Sequence, residues 1–233
     1  AHVALGMTML LYDWDWAGAE RELKRAIELN PSSMHTRYAH AIYLARMGRL
    51  QEALAEMKQA RELDPLSLRT NGGLAWILYL GRHYDQAIEQ SRNTLEMDPN
   101  FPMAHWVLGL AYEQKGRLDE AIAELQQAVT LSPGTPILEA WLAYTYAVAG
   151  KEDEARKLLA ELNNPPKPMY VPPTVLAVIY VGLGEKEQAF ALLEKAYERH
   201  DGELVWLRIF PQFDPLRSDS RFQALLRRMN FPE

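Results

Sequence analysis

The side chains best suited to chemistry are six histidines, His2, His35, His40, His83, His105 and His200, and the closely spaced carboxylates Asp13 and Asp15. No two histidines stand four apart, the spacing that puts two ligands on one face of a helix, so the pattern points away from a metal site. His40 and His105 read as half-buried side chains with a local hydrogen-bond partner. Asp13 and Asp15 are the residue type of a paired acid and base. As turn residues ahead of a helix they read instead as caps. Cysteine is absent, which excludes a disulfide framework, thiolate-held zinc and a cysteine nucleophile. There is no glycine loop for phosphates, no serine nucleophile motif and no strand pattern on which a dinucleotide site is built. The expectation is no catalytic residue, no metal, no cofactor and no enzyme.

The composition sets the class of partner. In 233 residues, 48% are hydrophobic and 24% charged, the balance of an ordinary folded protein. A net charge of −6, with 25 Lys and Arg against 31 Asp and Glu and no run of like charge, argues against nucleic acid. Apolar runs are interrupted well short of the ~20 residues that cross a bilayer, so membrane insertion is not expected. The compartment stays open, with the cytoplasm favoured over the periplasm. The chain starts at Ala1 without an initiator Met or a signal pattern and is expected to be a piece of something longer.

What must position any functional surface is an internal repeat. At an offset of 34 residues, Ala19, Ala53, Ala87, Ala121, Ala155 and Ala189 fall in one column. Gly48, Gly116, Gly150 and Gly184 form a second, with Gly81 one place early, and Pro31, Pro65, Pro99 and Pro133 a third. Two further small columns hold Ala26, Ala60, Thr94, Ala128 and Ala196, and Ala41, Ala75, Gly109, Ala143 and Ala177. Self-similarity at this period means a stacked array. Within a unit, a breaker-free stretch such as Met103 to Lys115 ends at a glycine, and a second, Leu118 to Leu131, ends at Ser132-Pro133, so each unit is two helices. The small columns mark where helix axes come closest.

These residues give the resemblance. Trp106, Leu108, Gly109, Tyr112, Gly116, Ala121, Leu125, Ala128 and Pro133 stand in the order and spacing of the tetratricopeptide repeat, and the chain resembles that family over about residues 1 to 203. The resemblance implies an all-α, right-handed superhelical array of antiparallel helix pairs with a C-terminal capping helix. Six units are expected, at about 1–33, 34–67, 68–101, 102–135, 136–169 and 170–203, followed by a capping segment over 204–233. Two units depart from the pattern. Asp13-Trp14-Asp15-Trp16 replaces the first glycine turn with one residue too many between Gly6 and Ala19. Pro165, Pro166, Pro168, Pro172 and Pro173 must end the fifth unit's second helix near Leu162, leaving a candidate hinge. The tail, with Phe222, Leu225, Leu226 and Met229 on one helical face, is similar to tails that close such arrays in bacterial signalling proteins: serine/threonine kinases, adenylate cyclases and winged-helix regulators. By that likeness the chain is the interaction segment of such a protein, with its effector domain on the N-terminal side.

The first helices carry more apolar surface than one repeat needs. Beside the core stripe of Leu74, Ala75 and Leu78 runs a second, Tyr38 and Ile42, Trp76 with Tyr79, Trp106 and Leu110, Tyr144 and Val148, and Val178. In the family the matching face lines the concave groove, which implies a protein or peptide partner with apolar anchors, oriented by a polar edge of Arg46, Arg69, Glu113 and Gln114. A clamp of Lys, Arg and Asn on a ligand's terminal carboxylate is not supported at these positions. The alternatives are that the aromatics only pack between neighbouring first helices, or that the open N-terminal end associates with another copy through Met7 and Leu11.

Overall fold

The computed structural model describes residues 1–165 and 169–231; Pro166 and Pro168 of the proline-rich stretch lie outside them. Among the described residues there are helices and turns and no strand. Six antiparallel pairs follow one another: α1 (His2–Thr8) with α2 (Trp16–Leu29), α3 (Met34–Arg46) with α4 (Leu50–Leu63), and α5 (Leu68–Leu80) with α6 (Tyr84–Met97). They continue as α7 (Pro102–Gln114) with α8 (Leu118–Leu131), α9 (Pro136–Val148) with α10 (Glu152–Asn163), and α11 (Pro173–Gly182) with α12 (Lys186–Glu198). Short 3₁₀ segments at Leu204–Trp206 and Pro211–Leu216 lead to a last helix, α13 (Ser220–Arg228).

Local chemistry sets the ends of these helices. Ser33 and Ser67 accept from the backbone N–H of Thr36 and Thr70, each at 3.3 Å, and cap α3 and α5. Pro102, Pro136 and Pro173 occupy first turns, where a missing N–H costs nothing. The corner inside each pair needs one residue in the left-handed region. Gly48, Gly116, Gly150 and Gly184 supply it with φ of 72 to 75°. In the third pair Gly81 keeps φ −75° and Arg82, one place on, takes the corner at φ 62°. In the first pair the corner is Trp14 at φ 54°. The extra residue there is absorbed by a π turn over Met9–Asp13, which widens the helix end until the next helix falls back into phase. Asp15 caps α2, its Oδ1 accepting from Gly18 N–H at 2.8 Å, whereas Asp13 belongs to the π turn.

The alanine column is the packing axis: Ala19, Ala53, Ala87, Ala121, Ala155 and Ala189 are all fully buried. The second helices are amphipathic, but the first helices after α1 are buried on more than one face, and in α5 every residue from Thr70 to Leu80 is buried. One side is covered by the second helices. The other is covered in part by the tail.

The tail does more than close the last pair. Helix α13 lies along α12 through Arg221 on Glu187 at 2.8 Å and Arg228 on Glu194 at 2.7 Å, two ion pairs each spanning one repeat length, with Arg221 over Phe190 and Arg228 over Tyr197. It then reaches the first pair. Trp16 donates from Nε1 to the Met229 carbonyl at 3.2 Å and stacks on Phe231, while Trp14 stacks on His200 at 4.4 Å and meets Tyr197 at 5.3 Å. His200 Nδ1 lies 3.0 Å from the Tyr12 carbonyl, and a methyl on Gly202 would touch Leu11. The Asp-Trp-Asp-Trp segment is thus a seam that ties the first pair to the last, while Leu5 and Tyr12 of the same pair stay exposed.

Two tests follow from this packing. Ala121→Leu or Ala155→Leu is expected to cost ~1–3 kcal/mol by overpacking, and Ala55→Leu, at an exposed position, much less; urea titrations giving equal losses at all three sites would contradict the register. Trp14→Gly relaxes a left-handed backbone by ~1 kcal/mol but removes a half-buried ring, whose full burial would be worth ~3–5 kcal/mol, so a net loss of about 1 kcal/mol is expected. A stabilised Trp14→Gly protein would show that the seam contributes nothing.

Candidate functional site

The first helices α3, α5, α7 and α9 present their second stripe to the inside of the curve, and there the stripe is divided. One half is filled by residues 204–216, since a bare row of buried-type side chains is covered by whatever apolar segment the chain can bring to it. Trp206 and Phe210, four residues apart, stack at 5.4 Å and both meet Trp76 edge-on, at 5.7 and 5.6 Å. Phe210 also packs on Trp141 at 5.3 Å. Beyond them Gln212, itself buried, donates from Nε2 to the Tyr79 hydroxyl at 2.6 Å and to Glu113 Oε2 at 2.9 Å. Gln114 donates to Glu113 Oε1 at 2.9 Å and accepts from Tyr84. On the outside of this network Arg82 pairs with Asp214 at 2.7 Å.

The other half remains open as a cavity of about 340 Å³. Six of the residues expected to line a groove line it: Tyr38, Ile42, Arg46, Arg69, Trp76 and Trp106. Of the remainder, Tyr79 and Glu113 are covered by Gln212, Gln114 sits half-buried at the edge of that network, Leu110 is fully buried, and Tyr144 packs against Trp141. Val178 lines a small cleft under Phe210, and Val148 is exposed. Sequence reasoning missed Glu203, Trp206, Phe210 and Gln212, which come from the tail, and Met103 and Ile137, which line the open cavity. The signal for the tail was a dense apolar run, Leu204-Val205-Trp206-Leu207, too long for a cap alone.

Burial shapes the charges. Desolvation pushes the Glu113 carboxyl up to about 7 and the Tyr79 hydroxyl well above its ordinary value. It pulls the Arg46 guanidinium down to about 10 and raises Glu203. Among the histidines, His105 has the local partners expected, with Nδ1 2.6 Å from Glu124 and Nε2 2.9 Å from the Pro99 carbonyl. His40 does not: both its ring nitrogens are buried without a hydrogen-bond partner, and Glu56 stands 3.7 Å away. Its ring stacks on Tyr43, and burial lowers its basicity. Among the described residues no three His, Asp or Glu side chains are placed to hold a metal ion, and no helix is long and apolar enough to cross a membrane.

The helix pairs, their left-handed corners and the concave stripe define the class. Models of the tetratricopeptide repeat match residues 10–67, 38–91 and 73–136, a further one matches 112–165, and another 174–199. The chain belongs to the tetratricopeptide repeat family. No curated protein matches it. Among solved structures it is similar to PilF of Pseudomonas aeruginosa, at 16% identity and a TM-score of 0.60 over 97% of this chain and 96% of that one. It is also similar to a thermophilic repeat protein of Thermus thermophilus, at 21% identity and 0.61 over 84% and 100%. A third likeness is to a chain of the Cut9–Hcn1 complex, at 18% and 0.64 over 96% of this chain and 48% of the other. At these identities the likeness concerns the fold.

A pH test follows from Glu113. Its folded-state carboxyl titrates near 7, above the ordinary 4.5, so below pH about 4.5 both states are protonated and this group costs nothing. As the pH rises from there to about 7 the unfolded state alone ionises, and stability falls. The loss, on the order of 3 kcal/mol, is complete above 7. Urea titrations at pH 5 and pH 8 are expected to show the intact chain less stable at pH 8 and Glu113→Gln with a visibly smaller difference. An unchanged difference would mean that Glu113 ionises normally.

Proposed function

We propose that the chain is a protein-binding scaffold that takes one anchor side chain of a partner segment into the open half of its concave groove. Residues 1–203 serve as six repeats and residues 204–233 as the segment that closes them. The observation that carries this reading is the cavity itself, about 340 Å³, walled by Tyr38, Trp76 and Trp106 and open to solvent at a rim that includes Arg69, Met103 and Ile137. Trp and Tyr in such a recess are the usual anchors of binding energy. The volume suits one large side chain rather than a peptide laid along the full groove, whose other half holds Trp206, Phe210 and Gln212. The partner is a protein and not a nucleic acid, in keeping with the net charge of −6. The likeness of the tail to those of bacterial signalling proteins supports a role as the interaction segment of a larger protein of that kind. No catalytic role is assigned.

Self-association is the competing reading, and it is less well supported. Leu11 packs beside Gly202, and Met7 lines the cavity, so neither stands free at an open end.

The rim separates the readings at half-buried positions, where the melting temperature is measured beside the affinity. With a peptide selected on the intact chain, Met103→Ala and Ile137→Ala are each expected to weaken binding by ~1–2 kcal/mol at an almost unchanged melting temperature, and Val148→Ala to leave binding alone. Unchanged affinity in both rim variants would remove the cavity from the binding surface. A concentration-dependent dimer in light scattering, abolished by Met7→Asp, would favour self-association.

A further inference from the structure

The wall of the open cavity holds a cation that the protein leaves incomplete. Arg46 is 8% exposed, its guanidinium lies 4.4 Å over the ring of Trp206, and its Nε and Nη1 find no hydrogen-bond acceptor among the described residues. A buried charge is costly unless a counter-charge and acceptors complete it. Glu203, in the same wall, reaches Arg46 only through its field, and burial favours the neutral form of its own carboxyl. At the rim Arg69 lies 4.4 Å over Tyr38, beside His35. Arg46 and Arg69 thus line one cavity with aromatic walls, in which Glu203 is the acidic residue of the lining.

We infer that this cavity is a site for an apolar carboxylate, a group whose ring or branched chain lies against Trp76 and Trp106 while its acid completes the charge of Arg46. The inference rests on the groove as the partner site and names the anchor's chemistry: an aromatic or branched residue of the partner flanked by Asp or Glu. A cationic anchor fits less well, because the faces of Trp206 and Tyr38 already carry Arg46 and Arg69. The volume lies near the small end of ligand pockets, which span roughly 300–1,000 Å³, and suits an indole-sized group with a short acid.

Three probes share one ring and differ in charge: indole-3-acetate, indole-3-acetamide and tryptamine. Titrated by calorimetry into the intact chain, indole-3-acetate is expected to bind at least about tenfold more tightly than the other two, the preference a charge-assisted contact gives, and Arg46→Gln to abolish that preference. Because Arg46 is buried and its loss can unfold the chain, Met7→Trp at the cavity wall is the second variant, expected to block indole-3-acetate while the helical circular dichroism stays intact. No binding by the acetate, equal binding by the acetamide, tighter binding by tryptamine, or a folded Met7→Trp protein that binds as before would each overturn the inference. Peptides selected on the intact chain test the groove separately. A peptide displaced by indole-3-acetate, and weakened about tenfold when its Asp or Glu becomes Asn or Gln, supports both readings. A displaced peptide indifferent to that change overturns the carboxylate and leaves the groove standing. A peptide that indole-3-acetate does not displace overturns the groove reading and, with it, the partner as the source of the acid.

Discussion

An array of helix pairs has an inner face as well as an axis, and covering that face is the constraint on which the rest of this structure depends. The small columns bring each helix pair together and set the curvature, but they leave Trp76, Tyr79, Trp106 and Trp141 on the concave side with faces that their own repeat does not cover. Leaving such side chains in water forgoes ~1.5–3 kcal/mol each. Residues 204–216 meet that demand. Leu204, Val205, Leu207, Phe213 and Leu216 are buried around the two rings that face Trp76. The tail is therefore part of the core and not a detachable lid.

Once the tail lies inside, other features of the chain acquire reasons. Gln212 must satisfy its amide N–H groups in a dry interior, and Tyr79 and Glu113 supply the acceptors, at the cost of holding a carboxylate where water does not reach, while the Gln212 Oε1 finds no partner among the described residues. Arg82 sits in a left-handed corner that four other repeats give to glycine, and its side chain holds Asp214 of the tail. Trp14 occupies the same corner in the first repeat and is turned against His200 and Tyr197. Both exceptions to the glycine rule fall where a side chain at the corner can reach another part of the chain, so backbone strain of ~1 kcal/mol is exchanged for a long-range contact.

The division of the groove also changes what kind of recognition the family fold offers here. An open superhelix accepts an extended segment along its whole inner face; a half-filled one offers a bounded recess with a floor made by the tail. Under the proposed reading, recognition then depends on the fit and charge of one anchor rather than on a series of shallow contacts. The charges around Arg46, set by burial more than by neighbours, become part of that fit.

How much of this was legible in the sequence follows from the range of the interactions. The helix pairs, the Asp15 cap and the small columns were readable because each rests on residues within one 34-residue unit, where a glycine, a proline or an alanine has one local meaning; the caps at Ser33 and Ser67 were seen only in the structure. The surplus stripe was readable too, down to Tyr38, Trp76 and Trp106, because helical spacing shows which side chains share a face. What covers that stripe was not. Trp206 meets Trp76 across 130 residues, Gln212 meets Tyr79 across 133, and Trp16 meets Met229 across 213, and no periodicity encodes such pairings. The sequence by itself determined an array with an apolar inner face. Only the tertiary structure decided that its own tail would fill half of that face and leave Arg46 in the wall of the rest, because closure depends on summed curvature and long-range packing rather than on any local signal.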